Sequence, residues 1–346
     1  MAKKNLVGLD IGSYYTKVVE LDNKKGVPVV KRVVRERTPD LISSQEEIDI
    51  DVMSEFLNSL FSQYKIKNRN AALALNSSYV ITKTVLMPLV VDEEIEQAVM
   101  WEAEQYAPFG MEQVNVSYQI MEKDKEKNEM TVLIVLTKKD IVESFVLALK
   151  KAKIHIKVLD VDVFALSNAF FKNEIEMKSK HNMLVDVGHH STKIVFLKNE
   201  VPTFSRYVEF GFDSLIKDAA GTFGASEGEI SLILETSKDE AKKESLIAFI
   251  NDKIARLYSQ LQNSISFYEN NVLNAYEDID NIVFSGVFGV LFDYLKPGIP
   301  MELSNKNIVR FNPFGAFSFE GNVNEDLSSS LSSFYSVAVG LAVREL

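Results

Sequence analysis

The chain contains no cysteine among its 346 residues, which excludes a disulfide framework, a catalytic thiolate and a zinc–cysteine site. No apolar run approaches the ~18 residues that a membrane-crossing helix needs. No leader pattern stands at the N-terminus either, where Met1-Ala-Lys-Lys-Asn5 runs straight into an expected core strand. Basic charge is not in excess: the formal net charge is −11, the opposite of a nucleic-acid footprint. Walker A, Rossmann and zincin patterns are missing, and no Ser-His-Asp arrangement stands in a recognisable context. These absences predict a soluble, cytoplasmic protein with no nucleic-acid partner and no direct membrane insertion, though docking onto a membrane protein stays open. The length suggests about two domains, and an apolar fraction of 46% supplies sizeable cores.

What the chain does contain is a repeated turn. Leu6-Val-Gly-Leu-Asp10-Ile-Gly12-Ser13-Tyr14-Tyr15-Thr16-Lys17-Val-Val-Glu-Leu21 reads as two short apolar strands joined by a polar turn. Asp10 ends the first strand, and Gly12 lets the backbone approach closely because no side chain intervenes. Such a turn gathers backbone N–H groups into a concavity suited to a phosphate, and Asp10 suits a hydrated Mg2+. Met183-Leu-Val-Asp186-Val-Gly188-His189-His190-Ser191-Thr192-Lys193-Ile-Val-Phe-Leu197 aligns with it without gaps, matching Asp10 to Asp186, Gly12 to Gly188, Thr16 to Thr192 and Lys17 to Lys193. Internal repetition points to a duplicated fold, two half-domains facing each other across a cleft. The alternative is that the repeat preserves hairpin geometry alone.

Between the hairpins, Val27 to Arg37 reads as a strand with Pro28 near its start. Ile48 to Tyr64 reads as a helix with Val52, Phe56, Leu57, Leu60 and Phe61 at helical spacing, and Asn70 to Leu75 and Tyr79 to Met87 as strands. An insertion follows. It opens with a helix capped by Asp92, with Ile95, Ala98, Val99, Glu102, Ala103 and Tyr106 on one face and Pro108 at its end. A hairpin of Val114 to Met121 and Met130 to Thr137 surrounds a solvated charge run, and Lys139 to Lys151 forms a second helix. Met100 and Trp101 fall off the first helix's buried face, where they either pack on a neighbour or present a docking surface.

Ile156 to Val163 reads as a strand, Phe164 to Phe171 as the start of a helix, and Lys172 to Asn182 as a linker between the halves. After the second hairpin come a strand over Pro202 to Phe210, helices from Gly211 and Ser226, an apolar helical stripe from Ile254 to Tyr268, a buried strand entering a turn at Gly286, and a final helix over Ser328 to Leu346. The expected division is a first half-domain of 1–87 completed by 155–180 and 328–346, an inserted α+β subdomain of 88–154, a second half-domain of 181–225 and 281–327, and a helical subdomain of 226–280. His189 and His190 serve as turn filler or phosphate contacts, since adjacent side chains point apart and no carboxylate cluster completes a metal site. Lys17 and Lys193 either reach a phosphate or lie solvated at a strand edge.

The order of hairpin, inserted α+β subdomain, second hairpin, strand and Gly-bearing turn resembles the actin-like ATPase superfamily. Within it the chain is similar to the PilM family of type IV pilus assembly proteins, related to the cell-division protein FtsA. The matching segments are Val7-Gly-Leu-Asp-Ile-Gly-Ser13, Trp101-Glu-Ala-Glu-Gln-Tyr-Ala-Pro-Phe109, Leu184-Val-Asp-Val-Gly188, Phe311-Asn-Pro-Phe314 and Gly340-Leu-Ala-Val-Arg344. The segment from Trp101 is the most specific, because other actin-like proteins lack it. The resemblance implies an α/β fold of the duplicated, ribonuclease H-like kind, two lobes around a nucleotide cleft. It implies ATP with Mg2+ as cofactor, surrounded by Asp10, Gly12, Ser13, Tyr14, Tyr15, Lys17, Asp186, Gly188, His189, Ser191, Thr192, Lys193 and Gly286, with Asp10 and Asp186 holding Mg2+ through water. It further implies a cytoplasmic protein, recruited to the inner face of the inner membrane by binding the cytoplasmic N-terminal tail of the membrane protein PilN. Trp101, Glu104, Tyr106, Pro108 and Phe109 then form the docking surface, with pilus motor ATPases nearby and self-association into a ring.

The chain departs from that family's pattern on the adenosine side. A Gly-Gly pair after the strand at Phe284 is replaced by Ser285-Gly286-Val287, and an Ala-Glu-x-x-Lys pattern is replaced by Ile230, Ser231 and Leu234. A counterpart of the water-positioning Gln has only Asp160 and Asp162 as nearby candidates. The expectation is a binding and scaffold protein with a degenerate nucleotide site, weak or absent nucleotide binding and at most weak ATPase activity. The rivals are an active ATPase or phosphotransferase using Asp10 and Asp186 around Mg2+, and an FtsA-like filament former. The last would carry a basic amphipathic terminal helix, whereas Ser328 to Leu346 is apolar on most of its surface.

Overall fold

Val18 and Val19 are neighbours in the chain, both fully buried, and they belong to different apolar clusters. Successive strand residues face opposite ways, so this arrangement requires a sheet covered on both faces. The computed structural model describes all residues except 1–5, 25–26, 41–47, 109, 179, 237–239, 274–276, 322–326, 328–329 and 345–346.

The first lobe begins with β1 (Val7–Ile11), β2 (Tyr15–Lys24), β3 (Val27–Arg37), α1 (Ile50–Gln63) and β4 (Asn70–Leu75). An excursion follows through β5 (Val80–Pro88), α2 (Ile95–Glu104), β6 (Val114–Asp124) and β7 (Glu129–Lys138). The chain returns by α3 (Lys139–Lys151), β8 (His155–Val161) and α4 (Asp162–Asn173). The second lobe contains β9 (His181–Val187), β10 (Thr192–Lys198), β11 (Val201–Val208), α5 (Phe212–Phe223), α6 (Glu227–Thr236), α7 (Glu240–Lys253), α8 (Ala255–Asn271) and β12 (Asn281–Ser285). After the short helices α9 (Gly286–Val290), α10 (Phe292–Leu295) and α11 (Met301–Ser304), β13 (Asn307–Arg310) closes its sheet. Then β14 (Ser318–Phe319) and α12 (Ser336–Ala342) return to the first lobe.

The duplication is written into the sheets. One runs β14-β3-β2-β1-β4-β8 and the other β11-β10-β9-β12-β13. Each has a hairpin at its centre, a third antiparallel strand outside it, and two parallel strands on the other side. α4 and α12 lie between the sheets: their core joins Val19, Leu21 and Ala72 of one sheet to Leu184, Val195 and Val283 of the other. α1 and α3 cover the outer face of the first sheet, and α5 to α8 that of the second. Glycine permits the tightest crossing, since a Cβ at Gly8 would run into the Ala338 carbonyl and one at Gly340 into that of Ala165.

Several expectations are corrected. Tyr79 to Met87 does not extend the first lobe's sheet: β5 pairs with β7, so the inserted three-stranded sheet reaches back to Val80. The helix at Lys139 leaves the insertion, because Ile141, Phe145 and Leu149 pack with α1 of the first lobe. Val52 is 40% exposed, and Met53 takes the buried position on α1. Asp92 caps no helix; its carboxylate pairs with Lys123 at 2.7 Å. The strand at Ile156 ends at Val161, so that Asp162 opens α4, which extends to Asn173 and shortens the expected linker. The final helix is a 3-10 turn over Leu331–Tyr335 followed by α12, which is buried along its whole length.

The crossing at Gly340 gives a stability test. Gly340→Ala is expected to lose about 1–3 kcal/mol through overpacking against the α4 backbone. Gly221→Ala, on α5 with open space around it, is expected to gain up to about 1 kcal/mol of helix propensity. Urea unfolding midpoints of the two variants decide.

Candidate functional site

Each hairpin sets an aspartate opposite a lysine in antiparallel register: Asp10 faces Lys17 and Asp186 faces Lys193. Directly opposed cross-strand residues share a face, so each lysine reaches its own aspartate, at 2.6 Å in the first hairpin and 3.1 Å in the second. The turns repeat as well. Gly12 N–H donates to the Tyr15 carbonyl at 3.2 Å and Gly188 N–H to that of Ser191 at 2.9 Å. A Cβ at either glycine would press on that carbonyl, at 2.8 Å and 2.9 Å.

The two turns line one cleft between the lobes. Asp10, Gly12, Ser13, Tyr14, Tyr15 and Lys17 line it from one side, and Asp186, Gly188, His189, Ser191 and Lys193 from the other. Gly286 lies at its edge with φ +67°, where a side chain would meet the Val187 carbonyl and Asp186 Oδ1. Thr192 is not brought into the cleft. It is fully buried and its hydroxyl donates to the Phe210 carbonyl at 2.8 Å, just as buried Thr16 bonds Thr38 in the first hairpin.

Asp162 joins the floor of the cleft. Its carboxylate accepts from the backbone N–H of Ser77 at 3.1 Å and from the Ser77 hydroxyl, and lies 3.7 Å from Lys193. Burial pushes the Asp162 carboxyl upward, in spite of Lys193 and Ser77. Burial by itself would lower the Lys193 ammonium, but Asp186, Asp162 and Asp10 more than offset it and hold the group above the ordinary lysine range. The floor therefore holds three carboxylates and two ammonium groups. Carboxylate oxygens are the donors a hydrated Mg2+ prefers, and such an ion is commonly held by one or two of them together with phosphate and water. Among the described residues no group of three acidic or His side chains is gathered closely enough to hold a metal ion by itself. Asp160, the other acidic candidate, lies outside the cleft with Arg344 at 3.5 Å.

In the outer part of the cleft, Ser231 and Leu234 were expected on the adenosine side, whereas Arg35, Arg37 and Glu235 were not singled out. Ser226 and Glu229 form a reciprocal capping box, Ser226 N–H to Glu229 Oε2 at 2.8 Å and Glu229 N–H to Ser226 Oγ at 3.2 Å. α6 then carries Ser231 and Glu235 one turn apart on the face that lines the cleft, with Leu234 between them. Of the three residues expected on the adenosine side, Ser231 and Leu234 line the cleft whereas Ile230 is in the core. Arg35 and Arg37 alternate on β3, so both point towards these groups. Burial lowers the His189 imidazole to about 4, and Arg37 adds to the effect against the pull of Asp213. Burial and Glu235 push the Tyr15 hydroxyl up to about 12. His190 is exposed and pairs with Asp213 at 2.9 Å.

The second predicted surface lies on α2. Ile95, Val99 and Ala103 are buried against β6 and β7. Trp101 is 67% exposed on the outer side, with Met100 beside it in sequence at 37%. Trp101 thus stays largely uncovered among the described residues, whereas Met100 is mostly covered. Glu104 and Pro108 are exposed, Tyr106 is half-buried with its hydroxyl donating to Glu102 at 2.8 Å, and Phe109 lies outside the described residues.

A sequence model of the family described as type IV pilus assembly protein PilM matches residues 8–346. The chain belongs to the PilM family. Among solved structures it is similar to a chain of a PilM-PilN type IV pilus biogenesis complex, at 21% identity over 99% of this chain and 98% of that one, with a TM-score of 0.80. It is also similar to ethanolamine utilization protein EutJ from Carboxydothermus hydrogenoformans, at 12% identity over 99% and 91%, with a TM-score of 0.58. The duplicated fold of this PilM-family chain is the actin-like one. Among its described residues no helix is long and apolar enough to cross a membrane.

Two measurements probe the electrostatics of this PilM-family cleft. Lys193→Met strands carboxylates in a buried setting and is expected to lose about 3–5 kcal/mol at neutral pH. The loss should shrink as pH falls and those carboxyls, their folded pKa now raised, take up protons. His189 acts in the other direction. Its folded pKa lies near 4 against an ordinary 6.5, so the unfolded chain binds the proton first. Stability should fall by up to about 3 kcal/mol between pH 6.5 and 4, and His189→Gln should flatten that slope in pH-dependent urea titrations.

Proposed function

We propose that this chain is a cytoplasmic scaffold of type IV pilus assembly, recruited to the inner membrane by the short N-terminal tail of a PilN-like membrane protein. Family membership supports the setting, and Trp101, a large apolar side chain exposed on the solvent side of an amphipathic helix, is the observation that carries the docking site. Trp is enriched at interface cores and dominates binding energy there. A tail of apolar anchors would lie across Trp101 and Tyr106, with Glu104 and Pro108 at the rim. Contacts with motor ATPases and self-association into a ring belong to the same reading.

In this reading the cleft is a phosphate cradle whose adenosine side is degenerate. ATP with Mg2+ is the cofactor class it would take, with Asp10 and Asp186 holding the ion through water. The ion would supply charge neutralisation to the phosphates. The chain's own part is to present the turns at Gly12 and Gly188 and to keep Lys17 and Lys193 beside the aspartates. Val287 adds bulk at the edge where the family pattern has glycine, and Ser231 and Leu234 replace its longer polar residues on α6. Scaffold function does not require turnover from such a site.

A synthetic PilN-like tail peptide, titrated against the full chain by fluorescence anisotropy, tests the docking surface. Trp101→Ala and Tyr106→Ala should each weaken binding about tenfold or more, as truncation of an interface anchor does. Unchanged binding in both variants would remove this surface from consideration.

A further inference from the structure

Above the cradle, the mouth of the cleft is bridged by side chains of the chain itself. Arg35 Nη2 donates to Glu235 Oε2 at 2.8 Å, with both side chains largely buried. The Tyr15 hydroxyl donates to the other oxygen of Glu235 at 3.4 Å, and the Arg35 guanidinium covers the Tyr15 ring at 4.4 Å. Beside them Tyr14 is sandwiched: its ring stacks on His189 at 3.9 Å with planes 18° apart, and Arg37 covers the opposite face at 3.4 Å. The Tyr14 hydroxyl donates to Ser231 Oγ at 3.4 Å. Arg35, Tyr14 and Tyr15 belong to the first lobe, whereas Glu235, Ser231 and His189 belong to the second, so these contacts form a clasp across the cleft.

The clasp is incomplete in one respect. Arg35 Nη1 and His189 Nε2 are both buried without a hydrogen-bond partner. Buried polar groups are nearly always paired, and an orphan is expensive to keep. The closed arrangement therefore leaves hydrogen-bonding capacity that an opened cleft would release. Behind it, Leu234, Ile216, Val290 and Leu291 form an apolar wall.

We propose that this clasp, with Tyr14 and Glu235 as its two halves, decides which phosphates the cleft admits. Inorganic oxyanions need only the cradle. A nucleoside phosphate must also seat its base and ribose along α6, where both tyrosine hydroxyls are already bound, so it enters only after the clasp parts. Its apparent affinity is reduced by the fraction of molecules that are open. Once the clasp is released, the apolar wall becomes available to the base. The inference rests on the reading of the hairpins as a phosphate cradle.

Calorimetric titration of the full chain with tripolyphosphate and with ATP, both in Mg2+, separates the two. The unaltered chain should bind tripolyphosphate at least as tightly as ATP. Glu235→Gln and Arg35→Gln should each bind ATP about tenfold more tightly than the unaltered chain, with tripolyphosphate affinity changed by no more than about twofold. Glu235→Gln keeps the size of the side chain and remains informative should Arg35→Gln fail to fold. ATP binding about tenfold tighter than tripolyphosphate in the unaltered chain, or ATP affinity in the variants that stays level or falls, overturns the clasp while leaving the cradle standing. Tripolyphosphate that binds to none of the three proteins overturns the cradle and the clasp with it.

Discussion

The packing of α4 and α12 between the two sheets is the constraint on which everything else depends. Two sheets each carrying a central hairpin can face their turns into one space only if a layer of fixed thickness separates them. Gly8 sets that thickness on the first-lobe side, where β1 meets the α12 backbone, and Gly340 sets the spacing of α12 from α4 within the layer, because backbone meets backbone at both with no side chain between. On the other side Leu184, Val195 and Val283 press on the same two helices. Protein interiors are close-packed and transmit strain over small displacements. A shift of this layer by the width of a methyl group would move one hairpin relative to the other, and the cleft exists only as their relation.

Within that relation the electrostatics are nearly self-contained. Lys17 and Lys193 pair first with the aspartate opposite in their own hairpin, and Lys193 then reaches Asp162 from the first lobe. The second hairpin is thus tied to the first lobe by charge at the floor of the cleft and by the aromatic and arginine contacts at its mouth. Buried charge pairs of this kind contribute little net stability compared with apolar packing but are costly to break singly. They fix how the lobes meet more than how firmly the chain folds.

The hairpins and their duplication were legible because they rest on local signals, Asp-x-Gly in an apolar alternation repeated without gaps, whereas the actin-like architecture came from the resemblance to a known family. What escaped was set by tertiary partners. Tyr79 to Met87 is a strand by composition, but which sheet it joins depends on β7, more than forty residues later in the chain. The helix at Lys139 is amphipathic whichever core receives it, and only the position of α1 assigns it to the first lobe. Thr192 looked like a turn residue facing a ligand, yet its hydroxyl satisfies a buried carbonyl, as Thr16 satisfies Thr38. Arg35 and Glu235 are separated by two hundred positions, and no spacing rule connects them. Asp162 was visible only as an acidic residue near the expected place, since its role comes from the Ser77 turn and Lys193 around it.

The insertion is tied to both lobes, which bears on how the proposed docking surface relates to the cleft. Ser77, which bonds Asp162 at the cleft floor, is three residues before β5. Further along β5 the Thr82 hydroxyl meets that of Ser205 on β11, at 2.9 Å, so the inserted sheet also touches the second lobe. A single strand therefore leaves the cleft floor of one lobe, leans on the edge of the other and carries the sheet on which α2 and Trp101 rest. Any rotation that opens the lobes must either slide Thr82 past Ser205 or take the insertion along with one lobe. Either course moves the surface around Trp101 relative to one of the two lobes. The surface around Trp101 and the cleft between the lobes are thus parts of one mechanical unit, joined through β5.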